Sequence, residues 1–144
     1  MTPLLLAATH IKKLNNSQTV SLHEITGSQN LAIVFQQNCV ACQKQVKDLK
    51  CLEGDYNIIL LGAFSSEKAL RTEYLKMKVS YPAYYASEDI LKTLGVHQVI
   101  TPQILGFSEE LTTVFTGYRN CRDLHRMLQK SVPKNTNESQ KAST

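Results

Sequence analysis

The sequence predicts an α/β domain built on a central mixed β-sheet with helices on both faces. Three observations carry this. Leu31-Ala32-Ile33-Val34-Phe35 and Asn57-Ile58-Ile59-Leu60-Leu61 are apolar runs of strand length without alternation, as strands buried on both faces require. Helical periodicity follows each of them. Two later apolar segments flank Ser108-Glu109-Glu110 as an antiparallel hairpin, and an amphipathic helix closes the order.

Taken in order, His10 to Leu14 and Gln18 to Leu22 are short strand-like runs across the turn residues Asn15-Asn16-Ser17. Leu31 to Phe35 is the first buried strand. From Cys42 the period becomes helical: Val46, Leu49 and Leu52 face one way, while Lys44, Lys47 and Lys50 form a solvated face. Tyr56 to Phe64 is the second buried strand. Glu67 to Met77 reads as a helix with Ser65 or Ser66 as N-cap. Tyr81 to Tyr85 is extended, because a residue before Pro is pushed out of the α region. Ser87-Glu88-Asp89 starts a short helix to Leu94 that Gly95 closes. Gln103 to Phe107 and Leu111 to Phe115 form the hairpin, and Asn120 caps a last helix to Leu128 with Leu124, Met127 and Leu128 inward.

A chain of 144 residues can bury a real core, so its four cysteines need a reason other than rescue of a weak one. The net charge of +4 is mild and scattered, which argues against a nucleic-acid partner. No stretch approaches the ~18 consecutive apolar residues of a transmembrane helix. Met1 to Ala8 is apolar without a preceding basic residue, and reads either as a frayed N-terminus or as the remnant of a signal region. Residues 132–144 hold one Ala as their sole apolar residue after Pro133 and are expected to be a disordered tail. The expected division is an N-terminal extension over 1–16, a domain over 17–131, and the tail.

Asn38-Cys39-Val40-Ala41-Cys42 carries the chemistry. It follows a buried strand and opens a helix, where unpaired N–H groups and the positive end of the dipole favour a thiolate. Cys39 is then the attacking sulfur and Cys42, one turn on, the resolving one. A CxxC can also be half of a zinc site, but no second CxxC or HxxxH accompanies it, and two unrelated core thiols are the blandest alternative. Val99-Ile100-Thr101-Pro102-Gln103 stands immediately before a central strand, where a Pro is awkward unless its bond is cis or its missing N–H faces a gap. A cis Thr101–Pro102 bond is expected.

Gln18 to Leu128 resembles the thioredoxin-fold proteins of the TlpA/ResA type, extracytoplasmic thiol–disulfide oxidoreductases of bacteria. The resemblance rests on Ser17 to Leu22 as an N-terminal β-hairpin and on Leu31 to Cys42 as strand and active-site turn. Glu67 to Tyr85 corresponds to the helical insertion, and Gly95 to Pro102 with Phe115-Thr116-Gly117 to the cis-Pro loop and closing strand. It implies catalysis by Cys39 and Cys42, with substrate held along Thr101, Pro102, Val40 and Ala41, and no cofactor or resident metal. It implies protein thiol/disulfide substrates, a membrane-bound thiol–disulfide reductase as electron donor, a monomer, and a periplasmic or otherwise extracytoplasmic location.

Departures from that pattern are Asn38 for the usual Trp, Ile33 for the buried acid under the disulfide, and Gln45 for the Glu after the second Cys. The usual proton acceptor is therefore missing from the expected places. Val40-Ala41 lacks the His of strongly oxidising relatives, so a reductant is favoured over an oxidant. Cys39, Cys42 and His97 together are similar to copper carriers of related fold, although those space their cysteines by three residues. Cys51, nine residues beyond Cys42 on one continuous helix, would lie about 13.5 Å further along its axis. A bridge to Cys121 at the head of the last helix therefore looks geometrically poor. Two separate thiols, and one reversible disulfide, are expected. His10, His23 and His125 and the Tyr81, Tyr84, Tyr85 cluster read as ordinary surface or packing residues.

Overall fold

The computed structural model describes residues 9–107 and 112–131; Met1 to Ala8, the Ser108-Glu109-Glu110 turn and the tail fall outside the described residues. Seven strands form one sheet: β1 (His10–Lys13), β2 (Thr19–Ser21), β3 (Asn30–Phe35), β4 (Asn57–Gly62), β5 (Ala83–Tyr85), β6 (Gln103–Phe107) and β7 (Thr112–Thr116). Their spatial order is β2-β1-β5-β4-β3-β6-β7. The central trio β5-β4-β3 is parallel, and antiparallel pairs flank it on both sides, so the sheet is mixed as expected. β1 falls inside the 1–16 segment that the sequence sets apart, yet it pairs with β2 on one side and β5 on the other.

The central strands are apolar throughout because each of their faces is covered. Leu31, Ile33 and Phe35 point to one face with Leu60, Ile104, Cys42 and Val46; Ala32 and Val34 point to the other with Leu61, Leu105 and Phe107. Burying each such Leu, Ile or Phe is worth about 1.5–3 kcal/mol, which makes β3 the anchor of the fold. On the first face lie helices α2 (Val40–Lys47), α3 (Glu67–Met77) and α5 (Cys121–Ser131); on the second lie α1 (Leu22–Ile25) and α4 (Glu88–Thr93). α1 was not expected: Leu22, read as the end of a strand, opens it, and Ser21 caps it by accepting from the His23 N–H.

The other caps follow from residue type. Ser66 accepts from Ala69 N–H at 3.1 Å, Ser87 from Ile90 N–H at 3.4 Å, and Asn120 Oδ1 from Asp123 N–H at 2.9 Å. Gly95 at φ +89° ends α4 in a backbone region that favours glycine. Gly62 serves differently: a Cβ there would come within 3.1 Å of Phe35 and 3.2 Å of Leu70, so its absence lets α3 settle on the sheet.

One expectation is overturned. The helix after Cys42 does not continue to Leu52. It ends at Lys47, the chain leaves helical geometry at Asp48 (φ −116°, ψ 59°), and a separate 3₁₀ turn spans Lys50–Leu52. The 13.5 Å displacement therefore does not apply to Cys51. The turn packs against α5, the Cα atoms of Cys51 and Cys121 stand 6.1 Å apart, and the two form a disulfide. The structure has two disulfides, not one, and among the described residues no free cysteine.

Candidate active site

Cys39 is the N-cap of α2, and Cys42 lies in its first turn. Their sulfurs are joined in a disulfide, with Cα atoms 5.2 Å apart. Cys42 is fully buried in the core, whereas Cys39 is half-buried at the surface. The Cys42 N–H points at Cys39 Sγ from 3.1 Å, so one of the unpaired donors at the helix head already faces that sulfur. A thiolate released there would keep this donor.

The cis-Pro loop meets the same sulfur. The Thr101–Pro102 bond is cis. The Thr101 hydroxyl lies 3.5 Å from Cys39 Sγ and its carbonyl oxygen 3.7 Å. Behind it, Pro102 O accepts from Gly117 N–H at 2.8 Å, which ties the loop to the strand end after β7. Gln103, buried at the start of β6, donates from Nε2 to the carbonyls of Gln98 (2.9 Å) and Ile100 (2.6 Å), and so holds the approach to Thr101 from within. In the motif Val40 is 81% exposed, and on the loop leading to Thr101 Val99 is 71% and Ile100 45% exposed.

The sequence-predicted site residues thus gather at one place: Cys39, Cys42, Thr101 and Pro102 directly, Val40 and Ala41 as the exposed dipeptide between the sulfurs. His97 does not complete a ligand set with them. It is exposed and lines a separate cavity with Phe64, Ser87 and Lys92, and among the described residues no three His, Cys, Asp or Glu side chains group as a metal site. His125 pairs with Asp55 at 2.9 Å, and Tyr81 donates to Glu53 at 2.6 Å, so both are structural. Lys44 is exposed, as expected of a solvated face, and its Nζ lies 4.4 Å from the centre of the Tyr118 ring.

At the two positions where the resemblance leads one to expect an acid, Ile33 is buried in the sheet and Gln45 is fully buried on α2, accepting from Arg119 N–H at 2.8 Å. The site's carboxylate comes from elsewhere. Glu73 of α3 is 2% exposed; its Oε1 accepts from the Asn38 N–H at 3.3 Å and its Oε2 from Gln43 Nε2 at 2.6 Å. Its signal in the sequence was positional: Leu70, Glu73 and Met77 fall on one helical stripe, and a Glu among core positions is unusual. Gln103 had a fainter signal, one polar residue heading an apolar strand. Further back, Asp48 accepts from both the Tyr118 hydroxyl (2.8 Å) and the Cys121 N–H (3.2 Å), and that bond holds the Tyr118 phenol above its ordinary range.

No protein-family model matches the chain, and no curated protein matches it. Solved structures do. MTB DsbF, solved in mixed oxidised and reduced forms, superposes with a TM-score of 0.71 at 14% identity, covering 90% of this chain and 98% of that one. A secreted Mycobacterium tuberculosis disulfide oxidoreductase homologous to E. coli DsbE follows at 0.66 and 7% identity, covering 88% and 98%. The thioredoxin domain of a thiol-disulfide oxidoreductase from Bacteroides vulgatus gives 0.59 and 15%, covering 88% and 95%. At these identities the likeness is one of fold, and the chain has the thioredoxin fold. Its particular form carries α3 and β5 between β4 and the cis-Pro loop, with a β1–β2 hairpin at the sheet edge.

Proposed function

We propose that this protein is a thiol–disulfide oxidoreductase acting on protein disulfides, with Cys39 as nucleophile and Cys42 as resolving thiol. The observation that carries the reading is the half-buried Cys39 sulfur at the head of α2, faced by the Cys42 N–H and by Thr101 of the cis-Pro loop. In the reductive direction the Cys39 thiolate attacks one sulfur of a substrate disulfide. The Cys39–substrate bond forms, the substrate S–S bond breaks, and one substrate thiolate leaves. Cys42 then loses its proton and attacks Cys39 Sγ, which forms the Cys39–Cys42 bond and releases the second substrate thiolate. Two electrons pass to the substrate, and its two sulfurs take up the protons. The backbone at Thr101 offers an extended peptide a partner, as in strand addition, while Val40, Ala41, Val99 and Ile100 give its side chains apolar cover.

Cys39→Ser is expected to abolish insulin reduction, and Cys42→Ser to accumulate mixed disulfides; retained insulin reduction by Cys39→Ser would sink the mechanism. Electron flow in the reducing direction, fed by a membrane-bound reductase, accords with the Val40-Ala41 dipeptide and with the TlpA/ResA resemblance. An extracytoplasmic site of action accords with that resemblance and with the secreted protein of like fold. Equilibration with glutathione tests the direction: an equilibrium poised near that of strong oxidants would reverse it. The copper reading is left with Cys39 and Cys42 as its sulfurs, and an anaerobic Cu(I) titration without a saturable site would dismiss it.

A further inference from the structure

We propose that Glu73 is a positioning residue of the Cys39–Cys42 pair, and that its charge biases the pair toward the disulfide and hence toward giving electrons away. This rests on the exchange reading above and adds to it a residue from outside the CxxC turn and the cis-Pro loop. Glu73 is the one charged side chain fully buried among the described residues. Its two oxygens divide between the two ends of the motif, one on the N–H of Asn38, which precedes Cys39, the other on the amide of Gln43, which follows Cys42. Asn38 sits at φ +59°, a left-handed conformation that a non-glycine residue holds only when its surroundings impose it, and the Glu73 bond is one such constraint.

Both oxygens act as acceptors, the role of an ionised carboxylate. Among the described residues no Lys, Arg or His nitrogen lies within 4.0 Å of it. On its own helix Glu67 closes with Lys12 and Arg71, and on α2 Lys44 is turned to Tyr118. A negative charge bonded to the residue before the nucleophile disfavours the Cys39 thiolate, which exists only in the reduced form. Destabilising that form is the converse of what makes a strong oxidant, whose reduced state is stabilised.

The test is equilibration with glutathione, in which the reduced protein gives two electrons to the oxidised dimer. The Cys39–Cys42 bond forms, the glutathione S–S bond breaks, and two glutathione thiols take the protons. Glu73→Gln keeps the size of the side chain, and its amide can still bond both Asn38 and Gln43 without the charge. The expected result is an equilibrium constant moved about tenfold toward the reduced protein, roughly 30 mV more oxidising. Gln43→Lys, which sets a cation against the carboxylate, is expected to move it the same way even if Glu73→Gln does not fold. Glu73→Asp keeps the charge and is expected to stay within about twofold of wild type. An equilibrium unchanged or moved toward the disulfide in Glu73→Gln would overturn the inference, even with a lowered melting temperature, since a purely structural role moves stability and not the potential. A wild-type protein that does not exchange with glutathione would instead overturn the reading beneath it.

Discussion

The two disulfides of the fold differ in nearly every physical respect. Cys39–Cys42 closes a ring over a sequence separation of 3 at the head of a helix, with one sulfur half-exposed and faced by a backbone donor and a threonine. Cys51–Cys121 joins positions 70 apart, between a 3₁₀ turn and the start of α5. In the chain-entropy account, closing a loop of that length stabilises the fold by about 4 kcal/mol, whereas so short a ring constrains the unfolded chain little. In the proposed reaction, opening and closing the first therefore disturbs the fold slightly, and the second makes the frame against which it would cycle. Asp48 connects the two regions: it stops α2 and binds Tyr118 and the Cys121 N–H.

The largest effect that could break this division is on activity. Cys39→Ser should bring insulin reduction to background while shifting the thermal midpoint of the protein by only a few degrees, about 2 kcal/mol or less. A large loss of stability would mean that the short ring, too, is structural. Next, the double replacement Cys51→Ser, Cys121→Ser should lose about 4 kcal/mol in denaturant unfolding, about 10 °C in midpoint, with insulin reduction at 25 °C kept within about twofold. A proportionate loss of turnover would show that both disulfides take part in exchange. Smaller again is Gln103→Leu, which frees the carbonyls of Gln98 and Ile100 from their buried donor. Lost positioning of the Thr101 strand edge should lower kcat/KM for a protein disulfide by about tenfold, with less effect on small disulfides that do not lie along it.

The smallest effect is on pH. The Asp48 bond raises the Tyr118 phenol in the folded state, so the folded protein holds that proton more tightly than the unfolded chain does. The stability this adds is complete below about pH 10 and is lost as pH rises through the folded value. Melting of the oxidised protein should therefore fall as pH rises above about 10, and Tyr118→Phe should flatten that slope. An equal slope in both proteins would remove Tyr118 from the link between the two regions.

Much of the site was legible because its signals are local. A CxxC between a buried strand and a helix, and a Thr-Pro before another strand, need only period and spacing to be read. The buried strands and caps likewise follow from runs and from single serines and asparagines. What escaped depended on where separate segments meet. Glu73 stands 35 residues from Asn38 and meets its N–H across the close approach of α3 to the sheet that Gly62 allows. Cys51 was misplaced by extending the helical period of Val46, Leu49 and Leu52 through Asp48. Leu49 and Leu52 are indeed buried, but from the far side of a break that the period could not register.

By itself the sequence determined the α/β order, the two central strands, the CxxC pair and the proline loop, since these rest on short-range backbone and side-chain preferences. Only the tertiary structure decided that Cys51 meets Cys121, that a carboxylate from α3 holds both ends of the motif, and that a glutamine carries the loop. Those depend on Cα separations and on hydrogen bonds between distant segments, which come into being only once the faces of the sheet are covered.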